Sequence, residues 1–263
     1  METIAGVDGC KGGWLVAVTE EWPSSTPTLT LCRTFKEVID TTASCSVTVI
    51  DIPIGLLNGK SERLCDTQAR EALADRQIPN ARSRVFRAPP RSALHVFDGG
   101  TREQQWPEFT NTVEQLTGKR PTKQTFDFSA KVKEVDDAMN PDWQQRILEF
   151  HPEPAWKRVA RSTLRSKHTA SGLLQRLNLL RELGATWVLG LVDHPSLREP
   201  KREPKLDDLL DALIGLTVAH DISRHSTPSE RANELKKDLY LNRFPKGKPE
   251  SDEEKQLRME IWY

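Results

Sequence analysis

Two apolar runs in the first part of the chain each lead into an aspartate, and this shared pattern limits the folds that the chain can adopt. Residues Ile4 to Val7 precede Asp8, and residues Val47 to Ile50 precede Asp51. A continuous apolar run without alternation is typical of a strand that is covered on both faces. If the two strands are parallel neighbours, both carboxylates lie at the same edge of one sheet.

Two carboxylates at one sheet edge require compensation. Burying an anion without a partner costs several kcal/mol, so facing acids need a shared proton, a cation or a bound metal. A hard divalent cation such as Mg²⁺ prefers oxygen ligands. Taken singly, Asp8 and Asp51 also fit turn residues that accept hydrogen bonds from local backbone amides.

The remaining pattern of the first third predicts the order β β β α β. The strands "WLVAVTE" and "TLTLCRTF" follow the first run, and the helical segment "FKEVIDTTA" comes before the strand that ends near Asp51. Gly12 and Gly13 suit a tight connection because glycine reaches positive φ without steric cost. The first two strands are therefore expected to be antiparallel.

The rest of the chain fits one α/β domain over residues 1–263, with an insertion or cap over about 57–146 that includes the helical pattern "SERLCDTQAREALADR". After it, "ILEFHPE" and "TWVLGLV" resemble strands, and "HTASGLLQRLNLLRELG" predicts a helix that ends at Gly184. Residues 207–222 predict a helix that is buried on most sides. The charged residues 224–257 predict a solvated surface segment.

Composition excludes several classes of protein. Thirty-eight Lys and Arg balance thirty-eight Asp and Glu, so a polyanion would need a local basic patch. No signal peptide and no apolar stretch of about eighteen residues is present, which predicts a cytoplasmic protein that does not associate with membranes. Four scattered cysteines without a CxxC pair argue against a zinc cluster or a disulfide framework.

The predicted last helix begins with acids that could join the strand-end pair. Asp208 and Asp211 are three residues apart, and Asp207 and Asp211 are four apart, so one helix face presents two carboxylates. Acids in a first turn also cap free amides and complement the helix dipole. The combination of two strand-end acids with an acidic helix start favours a functional site.

Further acids form two smaller patterns. On a strand, "EFHPE" places Glu149, His151 and Glu153 on one face, and this set could bind a metal or transfer protons. The alternative is a surface strand. "KVKEVD", also interpreted as a strand, gives Glu134 and Asp136 a common face that could form an acidic wall of the site, or simply a charged edge.

Cations suited to phosphate lie in three segments. "NARSRVFRAPPR" surrounds Phe86 with arginines, whose planar guanidinium groups bind phosphate well, and the aromatic ring could stack on a base. Lys167 precedes a helix, where an anion could bind. The candidates for substrate phosphate are Arg84, Arg87, Arg91, Lys131 and Lys167.

The pieces "GVDGCKGGW", "DIPIGL", "CDTQAREAL", "RVFRAPPR", "KVKEVD", "EFHPEPAW", "SKHTASGLLQR", "DDLLDAL" and "MEIWY" occur in this order along nearly the whole chain. The sequence resembles the domain of unknown function 429 family, described as predicted ribonuclease H-like nucleases. The resemblance implies a mixed sheet whose first three strands are antiparallel, whose fourth and fifth strands are parallel to the first, and whose faces carry helices.

The resemblance also implies an activity, namely phosphodiester hydrolysis assisted by Mg²⁺ or Mn²⁺. By position, Asp8 and Asp51 would be metal ligands, and Asp208 the third acid, with Asp211 as the alternative. Glu149, His151 and Glu153 would support the site. The substrate would be a nucleic acid or a small phosphorylated molecule. His168 stands where the family is expected to carry a second lysine, which weakens a phosphate role there.

Two other functions fit parts of the sequence. In actin-like and sugar-kinase ATPases, a strand-end aspartate and a glycine-rich hairpin such as "DGCKGG" hold ATP phosphates, although those enzymes need two such domains. A noncatalytic nucleic-acid or protein-binding module could also keep this fold. Neutral net charge and a carboxylate-rich centre argue against simple electrostatic binding of nucleic acid.

Overall fold

The computed structural model describes residues 2–193, 204–225, 242–246 and 248–263. Its main sheet has five strands: β1 (Ile4–Cys10), β2 (Gly13–Thr19), β3 (Thr28–Cys32), β4 (Val47–Ile50) and β5 (Ile147–Glu149). Their order is β3-β2-β1-β4-β5. The β1–β2 and β2–β3 pairs are antiparallel, whereas β4 is parallel to β1 and to β5. The predicted ribonuclease H-like sheet is confirmed.

The tight connection between the first two strands is also confirmed. Lys11 and Gly12 alone separate β1 from β2, Cys10 pairs with Gly13, and Gly12 has a φ of 79°. At Gly13 a Cβ atom would lie 2.0 Å from the carbonyl oxygen of Cys32. Glycine is needed at both positions, first for the turn and then for the close approach of β3.

Helices cover both faces of the sheet. They are α1 (Phe35–Thr41), α2 (Leu64–Ala72), α3 (Arg102–Thr117), α4 (Lys123–Ala138), α5 (Pro152–Ala160), α6 (Ala170–Glu182) and α7 (Leu206–His225). Apolar residues of α5, α6 and α7 form one core with Leu15 and Val49 of the sheet. Residues of α1 and α4 form a second core with Val7 and Val16 on the opposite face. Thus α4, which lies within residues 57–146, belongs to a layer that covers the sheet.

The helix α7 lies directly against β1. A Cβ atom at Gly6 would lie 2.2 Å from the Ala212 carbonyl oxygen and 2.8 Å from the Leu216 nitrogen. Side chains from Leu209 to Ala219 are buried, which confirms the buried helix predicted over 207–222. This close packing fixes the first turns of α7 beside the carboxyl end of β1.

Three predicted strands need correction. "TWVLGLV" forms a 3₁₀ helix (Thr186–Asp193) in which Val188 and Leu191 are buried three residues apart, the period of such a helix. "KVKEVD" lies within α4, and in "EFHPE" β5 ends at Glu149. A helix follows at once because His151 is an N-cap and Pro152 suits the first helical turn.

The predicted solvated segment is wrong for part of residues 224–257. Residues 226–241 and 247 lie outside the described residues. Two short ladders follow: β6 (Arg243–Phe244) pairs with β9 (Ile261–Trp262), and β7 (Glu250–Ser251) pairs with β8 (Arg258–Met259). Arg243 and Asp252 are buried. Within the described ranges, no helix combines the length and apolar character needed to cross a membrane.

Candidate active site

Asp8 and Asp51 lie at neighbouring positions of two parallel strands. Val7 pairs with Ile50, and the Asp51 amide donates a hydrogen bond to the Val7 carbonyl oxygen at 3.1 Å, so the register continues to the two aspartates. Asp8 is only 6% exposed, whereas Asp51 is partly buried. In the described structure, neither carboxylate takes part in a hydrogen bond or an ion pair.

Both aspartates line a cavity of about 480 Å³, here called the acidic cavity. The acids on its wall come from strand ends and from the starts of α2, α5 and α7. They are Asp8, Asp51, Asp66, Glu149, Glu153, Asp207, Asp208 and Asp211. The fold therefore brings together the two strand-end acids and the acidic helix start that the sequence marks as candidates.

Asp211 is the acid of α7 that faces the strand-end pair. It is 1% exposed, and its carboxylate accepts hydrogen bonds from Trp156 Nε1 at 3.0 Å and from Lys167 Nζ at 2.5 Å. Burial lowers the pKa of Lys167, but the charges of Asp211 and Asp8 outweigh this and raise that pKa overall. Lys167 is therefore a charged counter-ion of the acids.

Asp208 has a different role at the start of α7. Its Oδ2 accepts a hydrogen bond from the Lys205 backbone amide at 2.8 Å, which is the capping arrangement expected of an acid in a first turn. Burial raises the pKa of Asp208 to about 6 despite that hydrogen bond. The side chain lines the acidic cavity, but one of its carboxylate oxygens is already engaged.

Electrostatics oppose full ionisation of Asp8 and Asp51. Burial, followed by the charges of Asp51 and Asp211, raises the pKa of Asp8 well above its ordinary value. Burial and the charge of Asp211 likewise raise the pKa of Asp51. Because Asp51 is only partly buried, solvent screens these charges and reduces the increase in its pKa. A positive charge in the cavity would favour the ionised form of both acids.

Glu149, His151 and Glu153 all line the acidic cavity, although they do not lie on one strand. The Arg63 guanidinium donates to both carboxylate oxygens of Glu149, at 2.7 and 2.8 Å. Burial raises the pKa of Glu149, although the charge of Arg63 lowers it. Glu153 binds Arg84 at 2.7 Å and Arg176 at 2.5 Å. Both glutamates are held by arginines and form a rigid wall.

His151 is neutral in this site. Its Nδ1 accepts a hydrogen bond from the Glu153 backbone amide at 3.2 Å, which assigns the ring proton to Nε2. Burial lowers the pKa of His151 to about 4, although the nearby charges of Glu153 and Asp211 raise it. The imidazole is therefore a hydrogen-bond donor at the cavity wall.

The arginines proposed for phosphate binding are largely occupied by protein groups. Arg84 lines the acidic cavity, but it donates to Glu153 and to the Leu164 carbonyl oxygen. Arg91 lies outside that cavity, between the buried acids Asp136 and Asp252 at 2.9 and 3.0 Å. Their partners lie far along the chain, so the local sequence gave no sign of them.

Of the other proposed phosphate ligands, Arg87 and Lys131 lie in two different places. Arg87 is exposed, pairs with Glu62 at 2.8 Å and lies outside the acidic cavity. Lys131 lines the cavity, donates to the Gly13 carbonyl oxygen at 2.5 Å and stands 4.4 Å above the Trp14 ring. Lys131 is thus a second cation near the acids.

The expected acidic wall of Glu134 and Asp136 lies elsewhere. Because these residues are in a helix, Glu134 points to α1 and β2, where it accepts hydrogen bonds from the Phe35 amide at 2.6 Å and from Trp14 Nε1 at 3.2 Å. Asp136 pairs with Arg91. Neither residue lines the acidic cavity.

Sequence reasoning missed the buried arginine that organises the cavity wall. Arg63 donates to Asp66, to Glu149 and to the carbonyl oxygens of Ile54 and Gly55. Arg63 and Asp66 are three apart at the start of α2, a spacing typical of a local ion pair. This spacing is the sequence feature from which the ion pair could have been predicted.

The donor set suits a divalent cation bound by two protein ligands. No group of three or more His, Cys, Asp or Glu side chains in the described ranges is placed to bind a metal ion. However, Mg²⁺ usually binds proteins through one or two carboxylates together with water and substrate phosphate. The unpartnered carboxylates of Asp8 and Asp51 match that requirement.

A family model for proteins of unknown function, DUF429, matches residues 6–233. The chain belongs to the DUF429 family. The matched range contains every residue that lines the acidic cavity except Ile261, so the site lies within the DUF429 region itself. No curated protein and no solved structure matches the chain.

Proposed function

We propose that this DUF429 protein is a divalent-metal-dependent nuclease that hydrolyses phosphodiester bonds. The observation that carries the proposal is the pair Asp8 and Asp51, two carboxylates at adjacent ends of parallel strands that make no hydrogen bond or ion pair among the described residues, with Asp211 opposite. These two acids would hold Mg²⁺ or Mn²⁺, which when bound activates water and stabilises the negative charge that develops on the phosphate.

We assign Asp211, rather than Asp208, as the third acid of the site. Its charge raises the pKa of Asp8 more than that of Asp208 does, and it also raises the pKa of Asp51, whereas Asp208 caps the start of α7. Trp156 and Lys167 fix the orientation of Asp211 through hydrogen bonds to its two carboxylate oxygens. In this role Asp211 orients the groups around the reacting phosphate.

Three groups would receive the substrate phosphate. Lys167 and Lys131 supply positive charge at the wall of the acidic cavity, and His151 offers an Nε2 proton. Phosphate oxygens are strong acceptors, so each donor adds a charge-assisted hydrogen bond. The four cysteines are free and buried, which favours a reducing compartment, and the cytoplasm is the location we propose.

The test is cleavage of labelled single-stranded, duplex, hybrid and branched nucleic acids with Mn²⁺ or Mg²⁺. Asp8→Asn and Asp211→Asn are expected to lower the rate by about 100-fold or more, since loss of a residue that only supports a metal ligand costs about 10–100-fold. Asp142→Asn, an exposed site away from the cavity, is the matched control and should retain the wild-type rate.

Calorimetry with Mn²⁺ separates the metal site from the reaction. Asp8→Asn should weaken Mn²⁺ binding, and unchanged affinity in that variant would show the site assignment to be wrong. If the wild-type protein binds Mn²⁺ but cleaves none of the substrates, the nuclease proposal fails, and phosphoryl transfer from ATP becomes the next reaction to assay.

A further inference from the structure

A second cavity of about 450 Å³ adjoins the acidic cavity, and it is here called the basic groove. The two share a boundary formed by Arg63, Asp66, Ser83, Phe86 and Gln124. A molecule bound in the basic groove can therefore extend past this boundary towards Asp8 and Asp51. The groove itself lies between the start of α2, the loop around Phe86 and the α3–α4 connection.

The charge of the basic groove is opposite to that of the acidic cavity. The cations on its wall are Lys60, Arg63, Arg70, Arg87, Lys119 and Arg120, and the acids are Glu62 and Asp66. Arg63 and Asp66 pair with each other. Glu62 is shared by Arg87 at 2.8 Å and Lys119 at 2.9 Å. An excess of positive charge therefore remains along the groove.

Two of these cations have no polar partner in the part of the chain that the structure describes. Lys60 and Arg120 are exposed, and in the described structure their side chains make no hydrogen bond or ion pair. Arg70, in contrast, donates to the Val85 carbonyl oxygen at 2.5 Å. Burial, and then the charge of Arg87, lowers the pKa of Arg70. The groove thus concentrates like charges that an anion would stabilise.

An aromatic side chain stands where the two cavities meet. Phe86 is 38% exposed, and its ring centroid lies 5.8 Å from that of Phe128, which also lines the acidic cavity. An exposed phenylalanine beside a row of cations is the combination by which proteins bind unpaired bases and their phosphates. A duplex offers no free base face to such a ring.

We propose that the basic groove binds single-stranded nucleic acid. Lys60, Lys119 and Arg120 contact the phosphates, and Phe86 stacks on a base at the boundary. The next phosphodiester of the strand then enters the acidic cavity, so the inference rests on the proposed function and specifies its substrate class. A small phosphorylated molecule would fill one cavity and leave the excess charge of the groove unused.

Fluorescence anisotropy with a labelled oligothymidylate in EDTA tests the groove without any cleavage. Lys60→Glu and Arg120→Glu should each weaken binding by about tenfold or more at low salt. Each variant should also reduce the slope of log K against log salt concentration by about 1, the contribution of one phosphate contact. Arg181→Glu makes the same charge change on an exposed part of α6 outside the groove. This control should stay within about twofold of wild type.

Phe86→Ala tests the stacking contact separately. Loss of one base–aromatic stack should weaken oligothymidylate binding by about tenfold, and Phe86→Trp should restore it. The inference is overturned if all groove variants bind as wild type does, or if a duplex competes as well as the single strand. Circular dichroism melting of each variant ensures that only folded protein is compared.

Cleavage of bis(4-nitrophenyl) phosphate with Mn²⁺ distinguishes failure of the inference from failure of the proposed function. This small phosphodiester needs only the acidic cavity, so Asp8→Asn should abolish its cleavage, whereas Arg181→Glu, which lies outside both cavities, should not. Cleavage without binding of the oligothymidylate would overturn the groove alone. Groove-dependent binding without cleavage of either substrate would keep the groove and overturn the nuclease function.

Discussion

Individual carboxylates in the acidic cavity fall into two groups with different chemistry. Glu149 and Glu153 are neutralised by buried arginines, whereas Asp8 and Asp51 have no such partner among the described residues. A carboxyl group without an ion-pair partner, in a site where burial and neighbouring acids raise its pKa, is costly to ionise in the folded state. Its presence is therefore better explained by a ligand of opposite charge than by a contribution to the fold.

The sequence predicts the two strand-end aspartates better than it predicts the glutamates that are bound by arginines. Asp8 and Asp51 are recognisable because each follows an apolar run. The partners of Arg84 and Arg91 include Glu153 and Asp252, which are distant in the chain. Local pattern shows that an arginine is present, but only the tertiary fold decides whether its donors remain available to a substrate.

His151 gives a prediction for how the stability of the protein depends on pH. Its pKa is about 4 in the folded protein because of burial and about 6.5 in the unfolded chain. Between these values the unfolded state binds the proton, so the contribution to stability is complete above about pH 6.5 and is lost as the pH falls towards 4. His151→Asn keeps an N-cap acceptor and removes this titration.

Urea unfolding of wild type and His151→Asn from pH 4 to pH 7 measures the effect. Over this range the free energy of unfolding of the wild type should rise with pH more steeply than that of the variant, by up to about 1.4 kcal/mol per pH unit. His95→Gln alters an exposed histidine and should keep the wild-type slope. A slope in His151→Asn equal to wild type would contradict the neutral state of the imidazole in the folded protein.

At the scale of elements, predictions from period succeeded for most segments with a uniformly apolar face, although the apolar "TWVLGLV" forms a 3₁₀ helix rather than a strand. The first four strands and the helices α1, α2, α6 and α7 have such patterns. "KVKEVD" alternates over a short stretch but is part of α4, whose Val132 and Val135 belong to the core against the sheet. A six-residue window is too short to distinguish the two periods.

The contact between β1 and α7 gives a prediction for Gly6. A Cβ atom there would lie within 2.2 Å of α7 backbone, so Gly6→Ala must displace the helix that carries Asp211. Overpacking of this kind costs about 1–3 kcal/mol or more. Gly99→Ala is the control, since Gly99 is extended at φ 178° with no neighbour within 4 Å, and should change stability by less than about 0.5 kcal/mol.

Urea unfolding and Mn²⁺-dependent cleavage are measured together on both glycine variants. Gly6→Ala is expected to lose stability and also to lose activity in the folded fraction, because Asp211 moves away from Asp8. Full stability in Gly6→Ala would show that α7 does not approach β1 as closely as described.

Across the whole molecule, Arg91 joins parts that are far apart in sequence. It pairs with Asp136 of α4 and with Asp252 between β7 and β8, and all three side chains are buried. The sequence predicts a single domain but does not predict this connection, because nothing in the charged residues 224–257 indicates that Asp252 is buried. Removing Arg91 would leave two carboxylates without their guanidinium partner.

Arg91→Met is therefore expected to lower the free energy of unfolding by about 3–5 kcal/mol, the usual cost of leaving buried charge uncompensated. Arg102→Met, which breaks the exposed pair with Asp127, should cost less than about 1 kcal/mol. Chemical denaturation of the two variants provides the comparison. Equal losses would mean that Arg91 is not a structural link.

The packing of α7 on β1 also determines when the site comes into existence. Residue 6 touches residue 212, and at about 5–20 residues per second of synthesis α7 emerges roughly 10–40 seconds after β1. During that interval Asp8 has no Asp211 opposite it, and the face of β1 that will contact α7 stays uncovered. The three acids therefore meet in a late step of folding, and a ribosome-bound chain that stops short of α7 lacks the third acid of the proposed site.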